Sequence, residues 1–279
     1  MKKRILALLL ALCMVASLAA CGGADDTEEP EETASAADET LEPSEEAAEP
    51  AEETVSADAG SWSIYWYLCG SDLESGGGFA TGDLSELLEV QLPEDVNVVI
   101  ETGGASVWQN DVVDASKLQR WVYNSEGLQL IDEQPSASMG QAQTLADFLQ
   151  FAKTNYPAER TAVLFWNHGG GSISGVCFDE MNDSDSLSLR EIDSALNSVY
   201  GQMSDKFEFI GFDACLMSTL ETANIIAPYA RYMFASEETE PGGGWNYTDI
   251  VDFLSGYPDA TGADLGEMQC QSYYQHCMD

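Results

Sequence analysis

The hydrophobic pattern of this chain switches repeatedly between two periods. Residues 61–70, SWSIYWYLCG, are a β-prone apolar run that stops at a Gly-Ser-Asp turn, which predicts a strand. GDLSELLEVQL then carries its apolar residues at helical spacing and is stopped by Pro93. VNVVIETGG predicts a second strand ending in glycines, and KLQRWVYN and GLQLIDEQ a ribbon that turns at Ser125-Glu126-Gly127. SMGQAQTLADFLQFAKTNYP predicts a long amphipathic helix ended by Pro157, and TAVLFWNHGGG a third strand, apolar as far as Asn167. SLSLREIDSALNSVYG predicts a helix with Ser188 as its N-cap and Glu191 three residues on. FEFIGFDAC predicts a fourth strand, CLMSTLETANIIAPYA a helix beginning at Cys215, and RYMFASEE a fifth strand.

Strands alternating with helices indicate an α/β sheet covered on both faces. Continuous apolar runs, in place of polar/apolar alternation, predict that most of its strands are parallel and central. Ligands of such sheets bind beyond the carboxyl ends of the strands. The positions to inspect are therefore Ser71-Asp72, Thr102-Gly103, Asn167-His168-Gly169, Asp213-Ala214-Cys215 and Ser236-Glu237-Glu238.

Charge and composition divide the 279 residues into parts. The formal net charge is −39, and residues 22–58 hold fifteen Asp and Glu with no Lys or Arg. Rich in Ala, Pro, Ser and Thr, that stretch has too little apolar area to offset the entropy of ordering, and it predicts a disordered tether over residues 21–59. Residues 60–279 are expected to form the folded body, and they are also acidic; nucleic acid and anionic lipid headgroups are poor partners for it, and basic substrates would be attracted. Upstream, Lys2, Lys3 and Arg4 precede a short apolar stretch and Leu18-Ala19-Ala20-Cys21, which resembles the lipobox of bacterial lipoproteins. That resemblance implies a signal peptide over residues 1–20, lipid on the Cys21 thiol, and an extracytoplasmic protein anchored to the membrane. An ordinary secretion signal cut after Ala20 is the alternative.

Five cysteines then remain, Cys69, Cys177, Cys215, Cys270 and Cys277; an odd number leaves at least one thiol unpaired. No CxxC pair occurs and the whole chain has two histidines, so a zinc site is not expected. The dense oxygens of residues 178–186 are candidate calcium ligands, although their spacing is not that of an EF-hand and a solvated loop explains them equally well. The chain ends at YYQHCMD inside a helical pattern with no stop signal, which predicts further residues.

Two strand ends carry chemistry together. His168 precedes three glycines and Cys215 follows IGFDA. A thiolate nucleophile needs an imidazole to take its proton and deliver it to a leaving amine. A cysteine ending a strand is ordinarily a core residue; the partner 47 positions upstream gives this one a second reading. Glycines after the histidine allow a substrate carbonyl close to the backbone, and a helix start at Cys215 would favour a thiolate.

Trp166-Asn167-His168-Gly169-Gly170-Gly171 and Gly211-Phe212-Asp213-Ala214-Cys215-Leu216-Met217-Ser218 resemble the clostripain family of cysteine peptidases, which belongs with caspases, legumains, gingipains and separases. Gly70-Ser71-Asp72-Leu73-Glu74, Ala235-Ser236-Glu237-Glu238 and Gly244-Trp245 extend the resemblance over residues 61 to 260. It implies a caspase-like α/β/α sandwich and a cysteine endopeptidase cleaving after Arg or Lys, with no required cofactor. It further implies His168 as general base and acid, Cys215 as nucleophile, and the backbone N–H groups of Gly169 and Cys215 as oxyanion hole. Asp213 would select the basic side chain, with Glu237 a second candidate. Self-cleavage between the two motifs would have to use Arg190 or Lys206. A lipoprotein that keeps the fold but only binds peptides or glycans is the alternative reading.

Overall fold

The computed structural model describes residues 61–201, 203 and 205–278. The expected signal peptide, Cys21 and the expected acidic tether lie outside the described residues. Among the described residues nine strands and eight α-helices follow one another, with a 3-10 turn at Glu180–Asn182: β1 (Trp62–Cys69), α1 (Ser71–Gly77), α2 (Phe79–Leu87), β2 (Val96–Gly103), β3 (Lys117–Asn124), β4 (Gly127–Pro135), α3 (Ala142–Asn155), β5 (Arg160–Trp166), α4 (Gly171–Ser174), β6 (Val176–Asp179), β7 (Asp185–Leu187), α5 (Leu189–Tyr200), β8 (Phe207–Asp213), α6 (Leu220–Ile226), β9 (Ala230–Phe234), α7 (Tyr247–Gly256) and α8 (Gly262–Met278).

Seven strands make one sheet in the order β4-β3-β2-β1-β5-β8-β9. β2, β1, β5, β8 and β9 are parallel, and the β3–β4 ribbon adds an antiparallel edge. The reason is visible along β1, every residue of which is buried. Tyr65, Tyr67 and Cys69 enter one apolar layer, Trp62, Ile64, Trp66 and Leu68 the other. Side chains alternate faces along a strand, so apolar residues on both faces, with only Ser63 polar, force cover on both sides. α3, α5 and α6 cover the first face, where Phe148, Leu149, Leu196 and Ile226 pack. α2, α7 and α8 cover the second with Leu84, Leu87, Val251 and Leu265. This is the expected α/β/α sandwich.

The chain steps from β1 to β2 on one side and to β5 on the other. A crevice at such a reversal, beyond the carboxyl ends, is where open α/β sheets bind ligands. In-register pairing of Trp166 with Leu68 and with Asp213 sets the ends of β1, β5 and β8 level.

Three sequence expectations change. The long helix starts at Ala142 instead of Ser138, because the Ser138 hydroxyl is committed to Asp185 and the Ser138 carbonyl to Thr144. The strand predicted over TAVLFWNHGGG stops at Trp166, short of the glycines after His168. Gly169 bridges to Val176, and Gly171, at φ +63°, opens the short α4. Most consequentially, the helix after β8 begins at Leu220, capped by Thr219, and Cys215 lies in the turn before it. Leu216 has φ +63°, which helical backbone cannot accommodate, and the N–H groups of Leu216 and Ser218 donate to the carbonyls of Glu238 and Ser236. Cys215 therefore receives no field from a helix N-terminus.

Candidate active site

His168 is fixed from several sides. The side chain of its neighbour Asn167 donates to the Cys69 carbonyl at 2.7 Å and accepts the Phe178 N–H at 2.8 Å, tying the ends of β1, β5 and β6 together. The His168 carbonyl accepts the Cys177 N–H, and its ring meets Phe178 edge-on. The Nε2 nitrogen bonds Asp72 Oδ1 at 2.8 Å. This bond, ahead of all other causes, holds the Asp72 carboxyl below its ordinary range. Asp72 stands at a strand end that sequence periodicity points to, but nothing in the sequence pairs it with a residue 96 positions away.

Cys215 is half-buried, and its Sγ accepts the backbone N–H of Glu240 at 3.3 Å. Gly169 is packed against its backbone: a Cβ at Gly169 would stand 1.9 Å from the Cys215 carbonyl oxygen and 3.1 Å from its nitrogen. The glycine is thus required by the approach of two loops. Among the described residues, neither the Gly169 N–H nor the Cys215 N–H donates to another group.

His168, Cys215 and Asp213 line one cavity of about 150 Å³, with Leu73, Trp166 and Glu240 among the other walls. Asp213 is 5% exposed at its floor, and its Oδ2 accepts the Tyr247 hydroxyl at 2.8 Å and the Trp245 N–H at 3.2 Å. Burial pushes its carboxyl up to about 6 despite those two donors. Behind it, the Asp83 carboxyl accepts the Trp166 Nε1–H at 2.6 Å and is pushed up to about 9, by burial first and then by Asp213. Glu237 lies elsewhere. It is exposed and lines a neighbouring cavity with Gln269 and Tyr273, because β9 ends at Phe234 and leaves residues 235–240 as loop. The carboxylate that reaches the His168 cavity is Glu240, which has no periodic or motif signature in the sequence.

The oxygens of residues 178–186 do not present a metal site. Asp179 accepts the N–H groups of Met139 and Met181, Glu180 accepts from Ser106, and Asp185 accepts from Ser138. Among the described residues no group of three or more His, Cys, Asp or Glu side chains converges on a metal position. The five cysteines among the described residues are free thiols, Cys69 and Cys177 buried and Cys270 and Cys277 exposed.

Residues 66–278 match the sequence model of the Clostripain family. This chain belongs to that family. It is 30% identical over 134 residues to clostripain of Hathewaya histolytica, an alignment covering 42% of this chain and 24% of the relative. Its fold is shared with a secreted cysteine protease from Bacteroides thetaiotaomicron in complex with an irreversible peptide inhibitor (TM-score 0.61, 22% identity, 78% of this chain and 58% of that one). It is shared also with an inactive zymogen of a protease from Parabacteroides distasonis (TM-score 0.56, 20% identity, 80% of this chain and 60% of that one). This member of the clostripain family thus spans about a quarter of the length of the curated relative it matches and some three-fifths of the two structures.

Proposed function

We propose that this chain is the peptidase body of an extracytoplasmic cysteine endopeptidase that cleaves proteins or peptides after Arg or Lys. The observation that carries the reading is the convergence of His168, Cys215 and Asp213 on one cavity at the ends of adjacent parallel strands. Cys215 Sγ attacks the scissile carbonyl, forming a C–S bond while the thiol proton passes to His168. With its Nε2–H held by Asp72, the imidazole offers Nδ1 as the base. The oxyanion is received by the N–H groups of Gly169 and Cys215, whose backbones pack against each other and which have no competing acceptor among the described residues. His168 returns the proton to the leaving amine. Water then attacks the thioester, again giving its proton to His168, and the acid product departs as the thiol reforms.

The basic preference rests on Asp213. A guanidinium or ammonium buried in an acidic cavity gains charge-assisted bonds there that a neutral side chain cannot make. Glu237, exposed and outside the cavity, is left to contact residues further along the substrate. The chemistry uses only thiol, imidazole and backbone donors. Anchoring is assigned to lipid on Cys21; among the described residues no helix is long and apolar enough to cross a membrane. The secreted protease from Bacteroides thetaiotaomicron supports an extracytoplasmic site of action.

An arginyl chloromethyl ketone tests the catalytic reading. It should label the wild type and fail to label Cys215→Ala; labelling that survives this substitution overturns the mechanism. Metabolic labelling with a fatty-acid analogue should be lost in Cys21→Ala, and incorporation elsewhere would remove the anchor from Cys21.

A further inference from the structure

The inner end of the cavity holds more acid than a single-carboxylate selector requires. Besides Asp213 it is lined by Glu240, whose Oε2 is fully occluded and meets no donor. The Glu240 and Asp213 carboxyls line the same cavity of about 150 Å³, and each shifts the other's titration. Two ionised carboxylates are both acceptors, so they bond to one another only when one of them holds a proton. Gly244, at φ +53°, makes room for the pair: a Cβ there would stand 2.8 Å from Asp213 Oδ1.

The surroundings relieve this crowding only in part: the Tyr247 hydroxyl and the Trp245 N–H donate to Asp213, and the Trp245 side chain bonds Glu240. Asp83 and Glu86 face Asp213 from α2, Tyr247 faces it from α7, and Tyr273 faces the pair from α8. His168 and Cys215 stand at the mouth, and no Lys or Arg lines the cavity. Burial, followed by the neighbouring carboxyl, raises Glu240 well above its ordinary range; burial also raises Asp213. The pair therefore holds one proton near neutral pH.

We propose that Glu240 is a second specificity residue: in the empty cavity it shares a proton with Asp213, and an entering guanidinium or ammonium expels that proton to solvent. The pair carries one negative charge before binding. Afterwards it carries two, held by the ligand's positive charge, with one proton gained by the buffer. This rests on the reading that the cavity accepts a basic side chain. It adds that the cavity is self-neutralised when empty, which spares it an unpaired buried charge. The Glu240 backbone N–H also donates to Cys215 Sγ, so the same residue touches both the selector and the nucleophile.

Calorimetric titration of the wild-type chain with agmatine, in two buffers of different ionisation enthalpy at pH 7, counts the protons released. Release of between half and one proton per agmatine is expected. Glu240→Gln, which keeps shape and loses the titratable group, should bind about tenfold more weakly and release almost none. No release from the wild type, or equal release from wild type and a folded Glu240→Gln, overturns the proposal while leaving the basic pocket in place. A wild type that binds no agmatine and cleaves no arginyl substrate overturns the pocket itself, and the proton-sharing pair with it.

Discussion

His168 and Asp72 are joined by a 2.8 Å bond from the imidazole Nε2 to the carboxylate, linking the loop after β5 to the first turn of α1. An ionised carboxylate only accepts, so this contact fixes which ring nitrogen carries the proton in the neutral imidazole. Asp72→Ala should lower kcat about ten- to a hundredfold and leave KM nearly unchanged. Asp72→Asn, which retains an acceptor oxygen, should lose less. Steady-state kinetics on an arginyl amide substrate measure both, and an unaltered kcat in Asp72→Ala would show that the bond does not orient the base.

Gly169 has no room for a side chain. A Cβ would overlap the Cys215 carbonyl at 1.9 Å, an obstacle of backbone that no rotamer change relieves. Gly169→Ala must push the two loops apart and so misplace the proposed oxyanion donors. We expect a loss of kcat/KM of about a hundredfold or more, the scale of removing one oxyanion donor, with far-ultraviolet circular dichroism retained. Full activity in this variant would mean that the loops separate without cost.

Asp213→Asn keeps the Tyr247 and Trp245 bonds, since an amide oxygen accepts both, and removes only the charge. The ratio of kcat/KM for arginyl over neutral substrates should fall by about a hundredfold or more, on the scale of a buried charge left without its partner. A ratio that does not move makes Asp213 a structural anchor for α7.

Asp83 predicts a pH dependence of stability. Its folded carboxyl is raised to about 9 from an ordinary 3.8, with burial the main cause. Between those values the folded state binds more protons than the unfolded one, so stability falls as pH rises through the window. Asp83→Asn keeps an acceptor for Trp166 Nε1 and should flatten this fall. Between pH 5 and pH 8.5 the wild-type Tm should drop several degrees more than that of the variant, each kcal/mol being worth roughly 2–4 °C in a body of this size. Parallel Tm curves would show that Asp83 reaches water.

What the sequence made legible is what depends on long apolar runs. β1, β2, β5 and β8 are written in continuous hydrophobic stretches, and the parallel order they imply brings His168 and Asp213-Ala214-Cys215 to one edge. What it hid depends on contacts between distant loops. Cys215 lies outside a helix because residues 216–218 bond to residues 236–238, a pairing with no local signal. The short α4, β6 and β7 elements read GSIS, VCFD and DSL, at most four residues each, too short for a hydrophobic period to register. Glu240 outranks Glu237 only because β9 stops at Phe234, after which strand alternation no longer tells inward from outward.

The stitching of Leu216 and Ser218 to Glu238 and Ser236, with the Glu240 N–H on the Cys215 sulfur, has a consequence for engineering. Residues 236–240 carry a wall of the pocket, at Glu240, and the backbone that seats the proposed nucleophile on a single length of chain. A substitution introduced there to redirect substrate choice also perturbs the turnover rate, so the two properties are inherited together. Separate tuning has to come from outside that loop, from Asp83 on α2 or Tyr247 on α7, which touch the floor of the pocket without holding the turn that bears the thiol.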